Sequence, residues 1–233
     1  MSVLVRSSTR RAGAVHPWMV IGTSLLMLIM LLSHAALAPE ARQFWIDFWG
    51  FQPSMIAVML QAPVNQWHDV GLLNLVSASF VHSNWLHLAG NLAYFWVFGI
   101  AVERGIGHIR FIALFVILGA FANLFVALRV PELERAIIGA SGGVSAVIGA
   151  YLGLFPTRRI GLWLPLGLFL QFARIPALLV IGSWFTLQLL YTVFGPMTGA
   201  VAWWTHVAGF IAGLLAAIAL RAVSGRLDLQ HLD

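Results

Sequence analysis

Long apolar runs alternate with short polar breaks along most of this 233-residue chain. A helix that spans a bilayer needs about 20 mostly apolar residues, and polar, Gly or Pro positions separate six runs of comparable length. The runs cover residues 18–38, 85–101, 111–128, 141–155, 176–194 and 201–220. This pattern predicts an all-α membrane protein whose six helices form one bundle over residues 18–221. An N-terminal segment, 1–17, and a C-terminal tail, 222–233, flank the bundle.

The composition agrees with a membrane location and excludes two classes of protein. Hydrophobic residues make up 61% of the chain and charged residues 9%, whereas a soluble domain carries about 25% charged residues. The chain therefore has too few charged side chains to cover a surface in water, which excludes a cytosolic enzyme and a nucleic-acid-binding protein. It also has no cysteine, which excludes a disulfide, a thiolate metal site and a cysteine nucleophile.

The formal net charge of +5 has a topological explanation. All 13 basic residues are arginine, and membrane proteins collect arginine in their cytoplasmic loops. If the N-terminus is cytoplasmic and six spans alternate, ten arginines lie inside and three outside. The inside set is Arg6, Arg10, Arg11, Arg104, Arg110, Arg158, Arg159, Arg174, Arg221 and Arg226, and the outside set is Arg42, Arg129 and Arg135. The charge thus predicts that both termini are cytoplasmic.

The first run also has features of a secretory signal, because three arginines precede it and the small-residue sequence Ala36-Leu37-Ala38 ends it. We favour an uncleaved helix for two reasons. The run is longer than the apolar region of a signal peptide, which is about 7–15 residues. Pro39 would also follow the cleaved bond, a position where peptidases accept proline poorly.

Two connections between the runs are themselves apolar. The long first connection, 39–84, contains the apolar segments 44–51 and 55–60, which predict a helix or hairpin lying in the membrane interface. This element acts either as an interfacial anchor or in admitting substrate. The segment 160–172 is interrupted by Gly161, Pro165 and Gly167, which predicts a loop that dips into the cytoplasmic interface.

Polar side chains within apolar runs are costly, so each is a candidate for function. The first cluster is Gly139-Ala140-Ser141-Gly142-Gly143, where the fourth run begins. Ser141 acts there as a helix cap or a packing contact, or as a nucleophile. In the chemical interpretation, the glycines keep side chains away so that a substrate carbonyl reaches Oγ while the Ser141 N–H binds the developing oxyanion.

The second cluster is Thr205-His206-Val207-Ala208-Gly209, early in the sixth run. His206, Gly209 and Gly213 share one helix face, and the two glycines permit another helix to approach closely. A matching stripe of small residues follows Ser141, namely Gly142, Ala146, Gly149 and Gly153. If the stripes pack together, His206 can serve Ser141 as its base; otherwise His206 is a buried polar contact. No carboxylate is suitable as a third member, so a dyad is predicted.

The third cluster runs from His82 to Asn91 and contains His87 four residues before Asn91. This spacing places His87 and Asn91 on one helix face. They act either in interhelical hydrogen bonds or as two neutral donors of an oxyanion hole. No third histidine or carboxylate lies at ligand spacing, so no metal site is expected.

On these three motifs, in this order, the chain resembles the rhomboid family of intramembrane serine proteases. The motifs are His82-x4-His87-x3-Asn91 in the second run, Gly139-Ala140-Ser141-Gly142 at the start of the fourth, and His206-x2-Gly209-x3-Gly213 in the sixth. Together they extend the resemblance over roughly residues 75–221. Each motif alone is modest, and their order and their assignment to helices make the match specific.

The resemblance implies a role for each of these residues. Ser141 would be the nucleophile and His206 the general base and then acid, while His87, Asn91 and the Ser141 backbone N–H would bind the oxyanion. Structural support would come from His82, Gly139, Gly142, Gly209 and Gly213. The fold implied is a rhomboid-like bundle whose short fourth helix starts below the membrane surface and leaves a water-filled cavity open to the outer side. The fifth helix and the segment 194–199 would gate it, although from sequence alone that segment is an ordinary loop.

Two positions depart from the family pattern. Many relatives carry an aromatic residue, four positions after the nucleophile, that stacks on the catalytic histidine, and this chain has Ser145 there. The first connection also lacks a Trp-Arg pair, because none of Trp45, Trp49 and Trp67 precedes an arginine. Neither departure removes a chemical group from the predicted dyad.

The resemblance therefore predicts an endopeptidase that cuts transmembrane protein substrates within the lipid bilayer and needs no cofactor or nucleic acid. We expect an integral multi-pass protein of the bacterial inner (plasma) membrane. One alternative is a catalytically silent rhomboid-like protein that binds or escorts membrane proteins. The presence of both Ser141 and His206 argues against it. A small transporter using His87, Asn91 and His206 is another, and the lack of Asp, Glu or Arg inside the runs disfavours it.

Overall fold

The computed structural model describes residues 16–66, 71–166, 169–194 and 198–224. Its α-helices in this part of the chain are α1 (Trp18–Ala35), α2 (Pro39–Trp49), α3 (Met55–Gln61), α4 (Asn74–Ser77), α5 (Trp85–Ile106), α6 (His108–Arg129), α7 (Ser141–Leu154), α8 (Ala177–Phe194) and α9 (Thr198–Ser224). Short 3-10 segments occupy Val64–Gln66 and Ala78–Phe80. Two strands, β1 (Arg159–Leu166) and β2 (Phe169–Pro176), lie between α7 and α8.

Each of the six predicted apolar runs forms a helix, namely α1, α5, α6, α7, α8 and α9. Four helical stretches in the described residues are long and apolar enough to cross a membrane: Trp18–Ala35, Trp85–Ile106, His108–Arg129 and Trp203–Val223. The apolar stretches Ser141–Leu154 and Ala177–Leu187 are shorter. The predicted class, a helical membrane protein, is confirmed, while the number of spans stays a prediction.

The short helix α7 forms the centre of the bundle, and nearly all of its residues are buried. Helices α5, α6 and α9 pack around it. The contact with α9 is made by backbone: a Cβ added to Gly213 would overlap the carbonyl oxygen of Ala146, and one added to Gly149 would overlap that of Phe210. The two small-residue stripes therefore pack together, as the dyad hypothesis requires.

The first connection folds into short helices, as its apolar segments predict. On α2 the rings of Phe44 and Phe48 are largely exposed, at 72% and 61%. The C-terminal end of α2 is held by a side chain from α4, because the Asn74 amide donates 2.7 Å hydrogen bonds to the carbonyls of Phe48 and Gly50. The connection is thus fixed to the bundle while it presents apolar rings outward.

The segment 160–172 was predicted to be a loop, whereas it forms a β-hairpin with its neighbouring residues; its position at the cytoplasmic interface stays a prediction. Strands β1 and β2 pair antiparallel, with Arg159 opposite Pro176 and Leu166 opposite Phe169. Both strands of a two-stranded sheet are edge strands, where proline is tolerated. Gly161 also fits the hairpin, because a Cβ there would lie 2.6 Å from the ring of Phe172. The proline and glycine that interrupt this apolar segment are therefore compatible with paired strands.

Several sequence-based predictions fall outside the described residues. They concern Arg6, Arg10, Arg11, Trp67, the centre of the gate segment at 195–197, and nearly all of the terminal segments 1–17 and 222–233. The boundaries given to those two segments stay predictions.

Candidate active site

A cavity of about 1050 Å³ lies between α5, α7, α8, α9 and the segment 130–139. Most of its lining is apolar, but Ser141, His206, His87 and Asn91 all line it. These residues come from three motifs that are far apart in the chain. The structure therefore brings the predicted nucleophile, base and oxyanion donors to one cavity.

Ser141 opens α7 directly after a backbone turn that only glycine accommodates well. Gly139 has a φ of +116°, in the left-handed region that side chains rarely adopt. A Cβ there would also lie 2.7 Å from Nε2 of His87. Because the first N–H groups of a helix have no partner within the helix, the Ser141 N–H is available to a ligand in the cavity.

His206 lies on α9 and is 5% exposed. The side chain of the neighbouring Thr205 packs against Gly142, the residue after Ser141. A Cβ on Gly142 would lie 3.0 Å from Thr205 Cγ2. Within the described part of the chain, no hydrogen bond joins the Ser141 and His206 side chains, and Nδ1 of His206 is buried without a hydrogen-bond partner. Catalytic hydrogen bonds are often absent or long without substrate.

His87 and Asn91 lie one turn apart on α5 and both approach the turn before Ser141. The Cβ position of Gly139 is 2.7 Å from Nε2 of His87 and 3.9 Å from Nδ2 of Asn91. The other ring nitrogen of His87 lies 3.3 Å from the hydroxyl of Ser83. Asn91 donates one amide hydrogen to the His87 carbonyl at 3.2 Å and has a second. Two N–H groups can therefore reach the same point beside Ser141.

His82 lies behind the cavity, in the segment just before α5, and is completely buried. Its Nδ1 is 3.3 Å from the carbonyl of Phe80, and its Nε2 accepts the Ala140 N–H at 3.4 Å. Burial, and secondarily the neighbouring His87, lower the pKa of His82 to about 3. The ring is therefore neutral near pH 7, with Nδ1 donating and Nε2 accepting, and it bonds the residue immediately before Ser141.

Two residues near the site were missed by the sequence analysis. His34, at the end of α1, is buried and donates from Nε2 to the His82 carbonyl at 3.1 Å; an ionisable group at the end of an apolar run could have indicated it. Trp184 on α8 lines the cavity, with its ring centroid 5.4 Å from that of His206. No sequence signal marks Trp184, because tryptophan is common in apolar runs.

Beside Ser141 the cavity is lined by hydroxyl, imidazole and amide groups, and Glu132, Glu134 and Arg135 line it from the segment 130–139. Among the residues that the structure describes, no group of three His, Asp or Glu side chains is arranged to hold a metal ion. The arrangement supports attack by an oxygen nucleophile on a carbonyl, with neutral donors placed where negative charge would develop.

Comparisons with known proteins find similarity over about two thirds of the chain. The Rhomboid domain matches residues 69–223 of the chain. Rhomboid protease GlpG of Haemophilus influenzae is 29% identical over 167 residues, which are 71% of this chain and 78% of that protein. RHOMBOID-like protein 5 of Arabidopsis thaliana is 35% identical over 78 residues, covering 34% of this chain and 25% of that one. Mitochondrial Rhomboid protein 1 of Saccharomyces cerevisiae is 30% identical over 93 residues, covering 38% and 27%.

Proposed function

We propose that this chain, which belongs to the rhomboid family, is an intramembrane serine endopeptidase with a Ser141–His206 dyad. The observation that carries the proposal is the meeting of four side chains, those of Ser141, His206, His87 and Asn91, in one cavity. A chain that only bound membrane proteins would not need a hydroxyl, an imidazole and two further N–H donors converging there.

In the proposed reaction, His206 accepts the Ser141 hydroxyl proton as Oγ attacks the substrate carbonyl, giving a tetrahedral intermediate. The negative charge on its oxygen is bound by N–H groups of His87, Asn91 and the Ser141 backbone. His206 then gives its proton to the leaving amine, and the peptide C–N bond breaks to leave an ester on Ser141. Water, deprotonated by His206, hydrolyses that ester and restores the hydroxyl.

Hydrolysis needs water beside Ser141, and the position of α7 supports its entry. Because α7 begins at Ser141 and has only 14 residues, it spans about 21 Å, less than the roughly 30 Å of a hydrocarbon core. The space left at its N-terminal end coincides with the cavity. We infer that water reaches the dyad through this space from the outer side.

The proposed topology uses α7 and α8 to complete a six-helix bundle with the four longer helices. Both termini would then lie in the cytoplasm, following the arginine distribution, and the membrane would be the bacterial inner membrane. The region 18–221 would form the protease domain. The six alternating spans place α2 and the segment 130–139 on the outer face, next to the cavity.

The proposed substrates are single-span membrane proteins cut near the outer end of their helix. A hydrogen-bonded helix cannot present its carbonyl to Oγ, so the substrate must unwind locally. Small residues at the cut fit best, because glycines surround Ser141.

The test uses the purified full chain in liposomes with a fluorogenic transmembrane peptide. Hydrolysis is expected in the wild type and is expected to fall by about 1,000-fold or more in Ser141→Ala and in His206→Ala, because the nucleophile and its base act as a unit. A fluorophosphonate should label the wild type and leave Ser141→Ala unlabelled.

Two variants control for loss of a serine or a histidine elsewhere. Ser183→Ala changes an exposed serine whose hydroxyl bonds only its own helix, and His16→Ala changes an exposed histidine ahead of α1. Both should hydrolyse the peptide at the wild-type rate. Equal hydrolysis in all variants would rule out the dyad, whereas peptide binding without any hydrolysis would favour an escort protein.

A further inference from the structure

Ser145 occupies the position where many rhomboid relatives carry an aromatic residue that stacks on the catalytic histidine. In this chain Ser145 is completely buried, and its hydroxyl donates a 2.6 Å hydrogen bond to the carbonyl of Ser141 in its own helix. Its short side chain is therefore committed to α7 and provides no ring surface for His206. The imidazole must be held in another way.

His206 has few other polar constraints. Within the described residues its Nδ1 is buried without a hydrogen-bond partner. The carboxylates that line the cavity, Glu132 and Glu134, make no ion pair or hydrogen bond with its ring, unlike the aspartate of a Ser-His-Asp triad. Without a hydrogen bond at Nδ1, the imidazole of His206 can rotate about its side-chain bonds. Its orientation must then come from packing, and the side chain beside it becomes decisive.

Trp184 on α8 provides that packing. Its ring centroid lies 5.4 Å from that of His206 at an interplanar angle of 47°, a separation typical of interacting aromatic pairs. Trp184 is 7% exposed, and two further rings hold it, those of Phe185 at 4.9 Å and of Tyr94 on α5 at 5.9 Å. The indole is thus wedged between α5 and α9, with little freedom to move away from the imidazole.

We propose that Trp184 is the positioning residue for His206, and that it performs from α8 the task that position 145 performs from α7 in many relatives. This inference rests on the proposed function, because it assigns the orientation of the catalytic base. Trp184 does not take part in proton transfer itself; it restricts the imidazole to orientations in which Nε2 faces Ser141. Because the supporting ring comes from α8, the orientation of His206 depends on this helix. Helix α8 packs on α9 less extensively than α7 does.

The test separates orientation of the base from general packing. In Trp184→Leu, kcat for the transmembrane peptide is expected to fall by between about tenfold and about 100-fold, as expected for a misplaced catalytic group, with KM little changed. Trp184→Phe keeps a ring and should retain most of kcat. Trp184→Leu combined with Ser145→Tyr restores a ring from α7 and should recover at least part of the loss.

Phe185→Leu is the matched control. Phe185 neighbours Trp184 and packs on α9 through Phe210 at 4.7 Å and Trp203 at 5.7 Å. Its replacement weakens the same helix contact without removing a ring from beside His206, and the new leucine and the Tyr94 ring still pack against the indole. This variant should lose thermal stability comparable to that lost by Trp184→Leu and lose much less kcat per folded molecule than Trp184→Leu does.

A second readout does not depend on hydrolysis. In protein carrying isotope-labelled histidine, the ring signals of His206, identified by their loss in His206→Ala, should shift and broaden in Trp184→Leu and return in the double variant. Unchanged ring signals or an unchanged kcat in Trp184→Leu would overturn the inference. A wild type that cuts no peptide would instead defeat the proposed function, and the ring signals would still decide whether Trp184 orients His206.

Discussion

His82 fixes the backbone immediately before Ser141 without lining the cavity itself. Its Nε2 accepts the Ala140 N–H at 3.4 Å, and His34 donates to its carbonyl at 3.1 Å. Through its backbone carbonyl His82 is joined to α1, and through its ring it is joined to the segment before α5 and to the turn that leads into α7. At the scale of one residue, the proposed nucleophile is placed by a side chain that does not line the cavity.

His82→Ala should weaken both stability and turnover. The Ala140 N–H would be left buried without its acceptor, which costs about 1–3 kcal/mol of unfolding free energy. The turn before Ser141 would also loosen, so we expect kcat to fall more than KM rises. Thermal unfolding in detergent and peptide hydrolysis measure the two effects.

His82→Gln offers a partial replacement, because its amide carries both a donor and an acceptor. It should lie between His82→Ala and the wild type in both measurements. If His82→Ala matched the exposed control His16→Ala in stability and kcat, the role given to His82 would be wrong.

At the scale of the element, the contact between α7 and α9 sets the distance between Ser141 and His206, the proposed nucleophile and base. A Cβ on Gly213 would overlap the Ala146 carbonyl oxygen and lie 2.7 Å from its Cα. Rigid backbone fills the space, so even one methyl group forces the helices apart. The register of the two helices keeps His206 level with Ser141.

Gly213→Ala should therefore separate α7 from α9. Overpacking of this kind costs about 1–3 kcal/mol, and peptide hydrolysis should fall as well, because His206 moves away from Ser141. Gly182→Ala on α8 is the control, since its added Cβ meets nothing within 4 Å. It should unfold at or above the wild-type temperature and hydrolyse normally; a Gly213→Ala protein that behaved in the same way would contradict the packing argument.

Helices were predictable from the sequence, whereas the hairpin was not. A spanning helix needs a long apolar run, and each of the six apolar runs forms a helix. Small residues at intervals of three and four also indicated the face of α7 that meets α9. Gly161 and Pro165 within β1 are local signals of a loop. The pairing of β1 depends on a partner strand, which local propensity does not reveal.

At the scale of the whole molecule, Glu103 joins three helices at the end of the bundle where α5 ends and α1 begins. This buried carboxylate accepts the N–H groups of Met19 at 2.8 Å and Val20 at 2.9 Å, at the start of α1. It also pairs with His108 at the start of α6. A negative charge at the N-terminus of α1 is favourable for the helix dipole.

Glu103→Ala should destabilise the bundle without changing the chemistry. Hydrogen bonds to a charged group contribute about 1.5–3 kcal/mol, so thermal unfolding in detergent should occur at a clearly lower temperature. The kcat per folded molecule should stay near that of the wild type, because Glu103 does not line the cavity. Glu40→Ala, which changes an exposed carboxylate on α2, should leave both quantities unchanged. A large loss of kcat at full stability in Glu103→Ala would contradict this assignment.

The candidate site was predictable only as far as its residues belong to local motifs. His87 and Asn91 share a helix face by spacing alone, and Ser141 is marked by its glycines. Trp184 belongs to none of the three motifs. The hydrogen bonds of Asn74 to α2 likewise join residues that are 24 and 26 positions apart in the chain. Such contacts arise from tertiary packing between distant segments, and a single sequence does not record which segments meet.

The backbone contact of α7 with α9 has a mechanical consequence. Two helices that touch through main-chain atoms have no flexible side chains between them to compress or rearrange, so they move as one rigid block. Ser141 and His206 both belong to that block. Any opening that lets a substrate helix reach them must then come from parts that pack through side chains, such as α8 or the first connection. The proposed catalytic pair can therefore stay assembled while only the walls of its cavity move.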